Sequence, residues 1–226
     1  MINFAAMMEK KDFQAALERW AETIERIRMS AHELHDSVNQ KYGKDLPYGY
    51  HLDMVAEEAR AFGHLVCAQE EDVVPMMFGA YYHDSIEDAR LTYNDVMKVA
   101  RTFMDTDQAL MATEIVYALT NDKGRTREER AGEKYYAGIR TTPYAPFMKL
   151  CDRVANITFS CSGKDADNQR MKEVYKKEVP HFLQEINPHS SDIRFAVPAD
   201  LVEQLAEQLI DELMREEWEQ EMIKGL

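Results

Sequence analysis

Helix breakers are scarce in this chain. Nine glycines and seven prolines are spread over 226 residues, too few to punctuate the many short strands of a sandwich or barrel. Cysteine is scarcer still. Cys67, Cys151 and Cys161 are an odd number, widely separated and without a CxxC pair, which argues against a disulfide scaffold or a zinc finger and makes a reducing cytoplasm the default. No apolar run approaches the roughly 20 residues needed to cross a bilayer. The opening MINFAAMMEKKDF lacks a basic start followed by a long apolar region, so neither a membrane partner nor a secretory signal is expected. Positive charge is also in deficit: 27 Lys and Arg stand against 41 Asp and Glu, a net charge of −14. Such a field argues against broad binding to nucleic acid and repels any anionic substrate. A site for phosphates would need local basic residues or metal ions.

What is present is helical periodicity. Hydrophobic residues make up 45% and charged residues 30%, as in a globular protein with one sizeable domain. Apolar positions recur every three or four residues in most segments. The pattern predicts helix over residues 13–38 with one break, a loop in YGKDLPYGYH, and helices in LDMVAEEARAFGHLVCAQ, PMMFGAYYHDSIED, TYNDVMKVARTFM and DQALMATEIVYALTN. NDKGR to TTPYAP is the least regular part; helix resumes at FMKLCDRVANITFS and NQRMKEVYKKEVPHFLQEI. The fold class is all-α, with one domain over 1–198 and an additional amphipathic C-terminal helix over 199–226. That last segment carries Val202, Leu205, Leu209 and Leu213 at helical spacing, and nine acids from Asp200 to Glu221 against Arg215 alone. Its apolar stripe must be covered, most simply by its own domain, with a homodimer contact as the alternative.

YYHDSIEDAR concentrates titratable groups. If residues 75–88 form one helix, His83 and Asp84 are about 100° apart and can reach one metal ion. Glu87 and Asp88 then lie one turn beyond them on the same faces. Imidazole and carboxylate suit a divalent cation, and phosphate-ester hydrolysis needs an activated water and a carboxylate to orient it or move its proton. Alone, the tetrad equally describes an acidic helix surface. Two further residues add to it. His51 follows LPYGY at a helix start, and Asp152 borders the stripe Phe147, Leu150, Cys151 and Val154, where a carboxylate needs a partner. Asn156 is one turn further on. The order H…HD…D is the signature of HD-type metal-dependent phosphohydrolases. His32, His35, His64, His181 and His189 have no such pattern and read as surface or packing histidines. The 14 methionines read as core filler. Tyr135, Tyr136 and Tyr144 are candidates for a base pocket or for aromatic packing. From Lys123 to Arg153 eight basic residues face four acids, a stretch of +4 able to gather a pyrophosphate group.

The chain resembles the hydrolase domain of the RelA/SpoT alarmone enzymes, and most closely the stand-alone small alarmone hydrolases. PYGYHLDMV is similar to the family's PYxxHP segment, HDSIEDA to HDxxEDT, ALTNDKGRTREER to LTxDK…ER, KLCDRVANI to KLADxLxN, and VYKKEVPHFL to its closing Tyr-containing helix, over about residues 27–186. The resemblance implies an HD-domain helical bundle holding one metal, usually manganese, on His51, His83, Asp84 and Asp152. It implies that Glu87 and Asp88 position and deprotonate the attacking water. It further implies nucleotide contacts from Asn156 and Tyr175, from Lys41, and, with the LTxDK stretch, from Lys123 and Arg125. The chain departs from the family at Gln40, where Arg is common, at Leu52 and at Ala89. Gln cannot replace the charge of Arg. The expected activity is Mn2+-dependent removal of the 3′-pyrophosphate of guanosine tetra- or pentaphosphate (ppGpp, pppGpp). Two alternatives stand beside it. One is hydrolysis of another nucleotide: ppApp, the 2′-phosphate of NADPH, or a nucleoside monophosphate. The other is a catalytically silent nucleotide-binding signalling protein.

Overall fold

The computed structural model describes residues 7–209. These fold as an all-α bundle around two central helices. Helix α1 (Lys10–Arg19) and α2 (Ala21–Ser37) are the expected amphipathic stretch, broken once at Trp20, and they bury Phe13, Leu17, Ile24 and Ile27. The stretch read as a loop contains a small antiparallel hairpin, β1 (Lys41–Tyr42) with β2 (Leu46–Pro47), in the register Lys41–Pro47 and Tyr42–Leu46. Gly43 supplies the positive φ of +59° that its turn requires. Helix α3 (Gly49–Phe62) follows at once. It starts with glycine because α2 is so close: a Cβ on Gly49 would lie 2.5 Å from the His32 ring.

Helix α4 (Val73–Tyr82) is apolar on every side and all ten of its residues are buried, the pattern of a helix enclosed by others. It packs against α2, α3, α6 (Thr106–Leu119) and α9 (Ala145–Ser162). Pro75 falls in its first turn, where no intrahelical donor is lost. The helix stops at Tyr82, six residues short of the expected end. Past that point the side chains turn polar and residues 83–88 run as turns, keeping Asp88 N–H to the Asp84 carbonyl at 2.9 Å. Helix α5 (Tyr93–Ala100) and α6 both open with reciprocal capping boxes, Thr92 with Asp95 and Asp105 with Gln108, which satisfy the orphan donors of the first turn.

The stretch that looked least regular holds α7 (Arg127–Arg130) and α8 (Glu133–Thr141). The second central helix is α9 (Ala145–Ser162), packed on α3, α4, α6, α8, α10 (Ala166–Ile186) and α11 (Ala199–Leu209). Tyr144 precedes it, fully buried, and its hydroxyl donates to Asp72 at the start of α4; it ties the two central helices together instead of lining a pocket. Helix α11 covers its apolar stripe on α9 with Leu201, Leu205, Ala206 and Leu209. Gln204 donates to Glu58 at 3.0 Å and Thr158 to Gln208 at 2.9 Å. Leu213 and most of the acidic run lie outside the described residues. Among the described residues, no helix is long and apolar enough to cross a membrane.

Candidate metal centre

Three helices meet where the chemistry-bearing residues lie. His51 sits in the first turn of α3, His83 caps the C-terminus of α4 with Asp84 next to it, and Asp152 is midway along α9. Both histidines are almost wholly buried. His51 Nε2 and His83 Nε2 are 3.2 Å apart. Asp84 Oδ2 lies 2.8 Å from His83 Nε2 and 3.6 Å from His51 Nε2. Asp152 Oδ1 lies 3.3 Å and 3.8 Å from the same two nitrogens. One atom each from His51, His83 and Asp84 falls within 4.8 Å of the others, a group able to hold a metal ion, and Asp152 adjoins it.

The chemistry of these donors fits a divalent cation. His83 Nδ1 is 2.9 Å from the Ala80 carbonyl, so that nitrogen carries a proton and a neutral ring turns its Nε2 lone pair toward Asp84. Lone pairs from two imidazoles and two carboxylates therefore converge in a space shielded from water, an arrangement that needs positive charge at its middle. Without a metal, protons must supply that charge. Burial works to lower the pKa of His83, but the Asp84 and Asp152 carboxylates outweigh it and lift it to about 9. His51 is shifted upward against its own burial by Asp152 and Asp84. Burial would raise both carboxylates, yet His83 and His51 hold Asp84 well below its ordinary range, and Lys149 with the histidines does the same for Asp152.

The shell around these groups is made of fixed partners. Tyr48 donates its hydroxyl to Asp84 Oδ2 at 2.5 Å. Lys149 donates to Asp152 Oδ2 at 2.7 Å, and Asn156 Nδ2 to Asp152 Oδ1 at 2.6 Å. Tyr42, from the hairpin, stacks on His51 with ring centres 4.8 Å apart and donates to Asn156 Oδ1 at 3.0 Å. Such outer contacts orient ligands and set their basicity. Tyr42, Tyr48 and the pairing of Lys149 with Asp152 were not foreseen. The Lys149–Asp152 spacing of three within a helix was the signal that could have revealed the last.

A pocket of about 260 Å³ opens above the cluster. His51, Asp84 and Asp152 form its floor, while Arg130, Lys149 and Arg153 bring positive charge to its walls. Those three are members of the basic stretch between Lys123 and Arg153. Asn156 and Tyr175 border the pocket, and Arg153 lies over the Tyr175 ring at 5.1 Å. Tyr135 and Tyr136 border it too. Lys41, Lys123 and Arg125 do not: Lys41 is exposed on β1, Lys123 borders a neighbouring groove, and Arg125 is exposed in the loop before α7. Glu87 and Asp88 do not border it either: Glu87 is exposed in the turn after α4 and reaches the pocket's edge through Asn121, where Oε1 accepts the Asn121 backbone N–H at 2.6 Å and Oε2 the Asn121 side chain at 2.9 Å. Asp88 is half-buried, and burial together with the Asp84 charge pushes its pKa up to about 6.

Compared with known proteins, the chain matches no family model and no curated protein.

Proposed function

We propose that this chain is a metal-dependent phosphohydrolase that removes the 3′-pyrophosphate of ppGpp or pppGpp. The observation that carries this is the convergence of His51, His83, Asp84 and Asp152 from three helices at the floor of a pocket walled by Arg130, Lys149 and Arg153. A protein of net charge −14 has concentrated cationic side chains where a phosphorylated substrate would have to sit. His51, His83, Asp84 and Asp152 would hold one divalent ion, Mn2+ in the family the sequence resembles; when bound it supplies the charge to polarise a phosphoryl oxygen and acidify a water.

The chain's own groups have the remaining tasks. Arg130, Lys149 and Arg153 bind phosphoryl oxygens. Lys149 is held in its charged form, well above the ordinary lysine range, because Asp152 and Tyr135 outweigh its burial. Glu87 and Asp88 orient the attacking water and accept its proton, with Asn121 fixing both oxygens of Glu87. Water oxygen bonds to the phosphorus carried by the ribose 3′-oxygen, the bond between that phosphorus and the 3′-oxygen breaks, and the 3′-oxygen takes up a proton. The products are GDP or GTP and pyrophosphate.

A second reading is favoured by Gln40, which stands where the resembled family commonly has arginine. Under it, the same centre hydrolyses ppApp, the 2′-phosphate of NADPH or a nucleoside monophosphate. Incubation of the purified protein with Mn2+ and each of these nucleotides, followed by separation of the products, tests both. Pyrophosphate with GDP is expected from ppGpp. Pyrophosphate with ADP from ppApp, or orthophosphate from NADPH or a nucleoside monophosphate, with ppGpp intact, replaces the first reading by the second. Binding without turnover of any of them makes the chain a silent nucleotide sensor.

A further inference from the structure

Leu209, the last described residue, is buried against its own domain near one end of the bundle. Gln204, just over one turn before it, donates to Glu58 on α3. Gln208 accepts from Thr158 at 2.9 Å and, through its carbonyl, from Cys161 at 3.4 Å. Both partners are near the C-terminus of α9, so the chain passes residue 209 where α9 gives way to α10. The hairpin lies at the same end. Its Gly43 is so close to Phe159 that a Cβ there would meet the ring at 2.9 Å, and the Tyr42 ring is 4.5 Å from that of Phe159.

This end differs in charge from the rest. The chain carries −14 overall, yet from Lys164 to Lys177 five cations stand against three acids, and the hairpin adds Lys41 and Lys44 against Asp45. Lys172 and Lys176 are half-buried, one turn apart on the same face of α10. Burial raises the Cys161 thiol, and the charges of both lysines oppose it, so both stand beside the sulfur that holds Gln208. Lys44 reaches toward the turn between α9 and α10. Asp165 in that turn is held below its ordinary range first by the Asn168 N–H that it caps, and also by the Lys44 charge. Glu173 meets Lys176 at 3.5 Å and Asp165 is spent on its cap, so the excess here is cationic. Leu46 and Tyr50 are exposed alongside, Tyr50 edge-on to Phe159 at 6.3 Å.

The residues that follow have the opposite character. IDELMREEWEQEMIKGL, residues 210–226, holds six acids against Arg215 and Lys224. Asp211, Glu212, Glu216 and Glu217 come within eight residues of Leu209. Leu213 continues the four-residue spacing of Leu201, Leu205 and Leu209, and Leu46 with Tyr50 offers it an apolar surface. We infer that the acids of residues 210–217 dock on Lys44, Lys172 and Lys176 of the same chain and fasten the hairpin to α10. The segment is tethered at the edge of this surface, and tethering gives it a high effective concentration there, which favours it over a second copy. The fastened hairpin carries Tyr42, whose ring stacks on His51, and α10 carries Tyr175 at the edge of the pocket. The docked segment thus braces two walls of the metal centre from outside. This goes beyond the hydrolase reading and does not rest on it.

The test uses the whole chain. A carbodiimide joins a carboxylate directly to an amine that it touches, and mass spectrometry of an equal mixture of isotope-labelled and unlabelled protein identifies the joined peptides. Links from Asp211, Glu212, Glu216 or Glu217 to Lys44, Lys172 or Lys176, each within chains of one label, are expected. Links of mixed label alone would place the segment on a second copy and overturn the inference. So would an absence of such links, or links spread evenly to remote lysines such as Lys98 on α5. A second measurement reads the hairpin. The combined variant Asp211→Asn, Glu212→Gln, Glu216→Gln and Glu217→Gln keeps side-chain size and removes the charge. Amide hydrogen exchange over residues 41–47 should quicken about 3–10-fold in it, the worth of two or three surface ion pairs. Equal exchange in variant and wild type would show that the segment does not fasten the hairpin, and the inference falls.

Discussion

His51, His83 and Asp152 are buried on α3, at the end of α4 and on α9, whereas Glu87 is exposed in the turn after α4 and Arg130 is exposed at the end of the short helix α7. At the floor, Asp84 and Asp152 each accept a hydrogen bond from a second side chain that is itself held, as in the run Tyr42 to Asn156 to Asp152. At the rim, Glu87 depends on one residue, Asn121, at the end of α6. A floor of this kind keeps its geometry whatever binds above it, since α4 and α9 would have to separate before the cluster could open. The rim can change with the loop that carries it. Metal affinity and turnover should therefore be separable in this protein, the first governed by the floor and the second by the rim.

Substitutions at the two levels should split accordingly. Asp84→Ala has the largest expected effect. It removes a charged donor from among three others, and Mn2+ binding measured by calorimetry and nucleotide turnover should both be lost. A variant that still bound Mn2+ as tightly as wild type would mean that the floor is not the metal site. Glu87→Ala should leave Mn2+ affinity as it is and lower turnover by roughly 10²–10⁴-fold, the usual worth of a positioned acid or base. Equal losses of metal and turnover in that variant would erase the distinction between floor and rim.

The support beneath the floor can be tested through acid stability. His35 is fully buried and stacks on Tyr48 at 4.6 Å. Burial lowers its pKa to about 4; Asp84 opposes this, while His83, His51 and His32 reinforce it. The unfolded chain binds the proton near pH 6.5 and the native state refuses it until about 4, so stability falls as the pH drops through that window. The difference corresponds to about 3 kcal/mol at most. His35→Phe keeps the stacked ring and removes the titration, so denaturant unfolding at pH 6.5 and pH 4 should show a smaller loss in the variant. Identical losses would show that His35 is not the acid-sensitive support.

The floor was legible in part, because some of its signals are local and the order H…HD…D carried the rest. His83 and Asp84 are adjacent, Asp152 interrupts a buried stripe, and Asn156 follows one turn on. The helical bundle followed from periodicity, and so did one break in its first stretch, which falls at Trp20. The supports of floor and rim were not legible because their contacts are long-range. Tyr42 meets Asn156 across 114 residues and Glu87 meets Asn121 across 34, and nothing in the local pattern announces either. The end of α4 at Tyr82 was missed for a related reason. A histidine and acids at helical spacing continue the period on paper, but the unbroken run of buried apolar side chains that makes up α4 ends with the tyrosines. Lys41 shows the limit of carrying a residue over by position: its neighbour Tyr42 is the one that turns toward the ligands.

Two single hydroxyl deletions give the finest division of the floor itself. Tyr48→Phe removes a hydrogen bond made directly to Asp84. Loss of a partner one step from a metal costs about 10–100-fold in affinity, and Mn2+ binding should weaken within that range. Tyr42→Phe keeps the ring on His51 and deletes only the bond to Asn156. Asn156 still reaches Asp152 through its other end, and a neutral hydrogen bond contributes about 1 kcal/mol net, so the loss should stay below about 10-fold. The order matters more than either value. If Tyr42→Phe weakened Mn2+ more than Tyr48→Phe, the hold on Asn156 would control the cluster, and the hairpin would support the floor more strongly than the direct bond to Asp84.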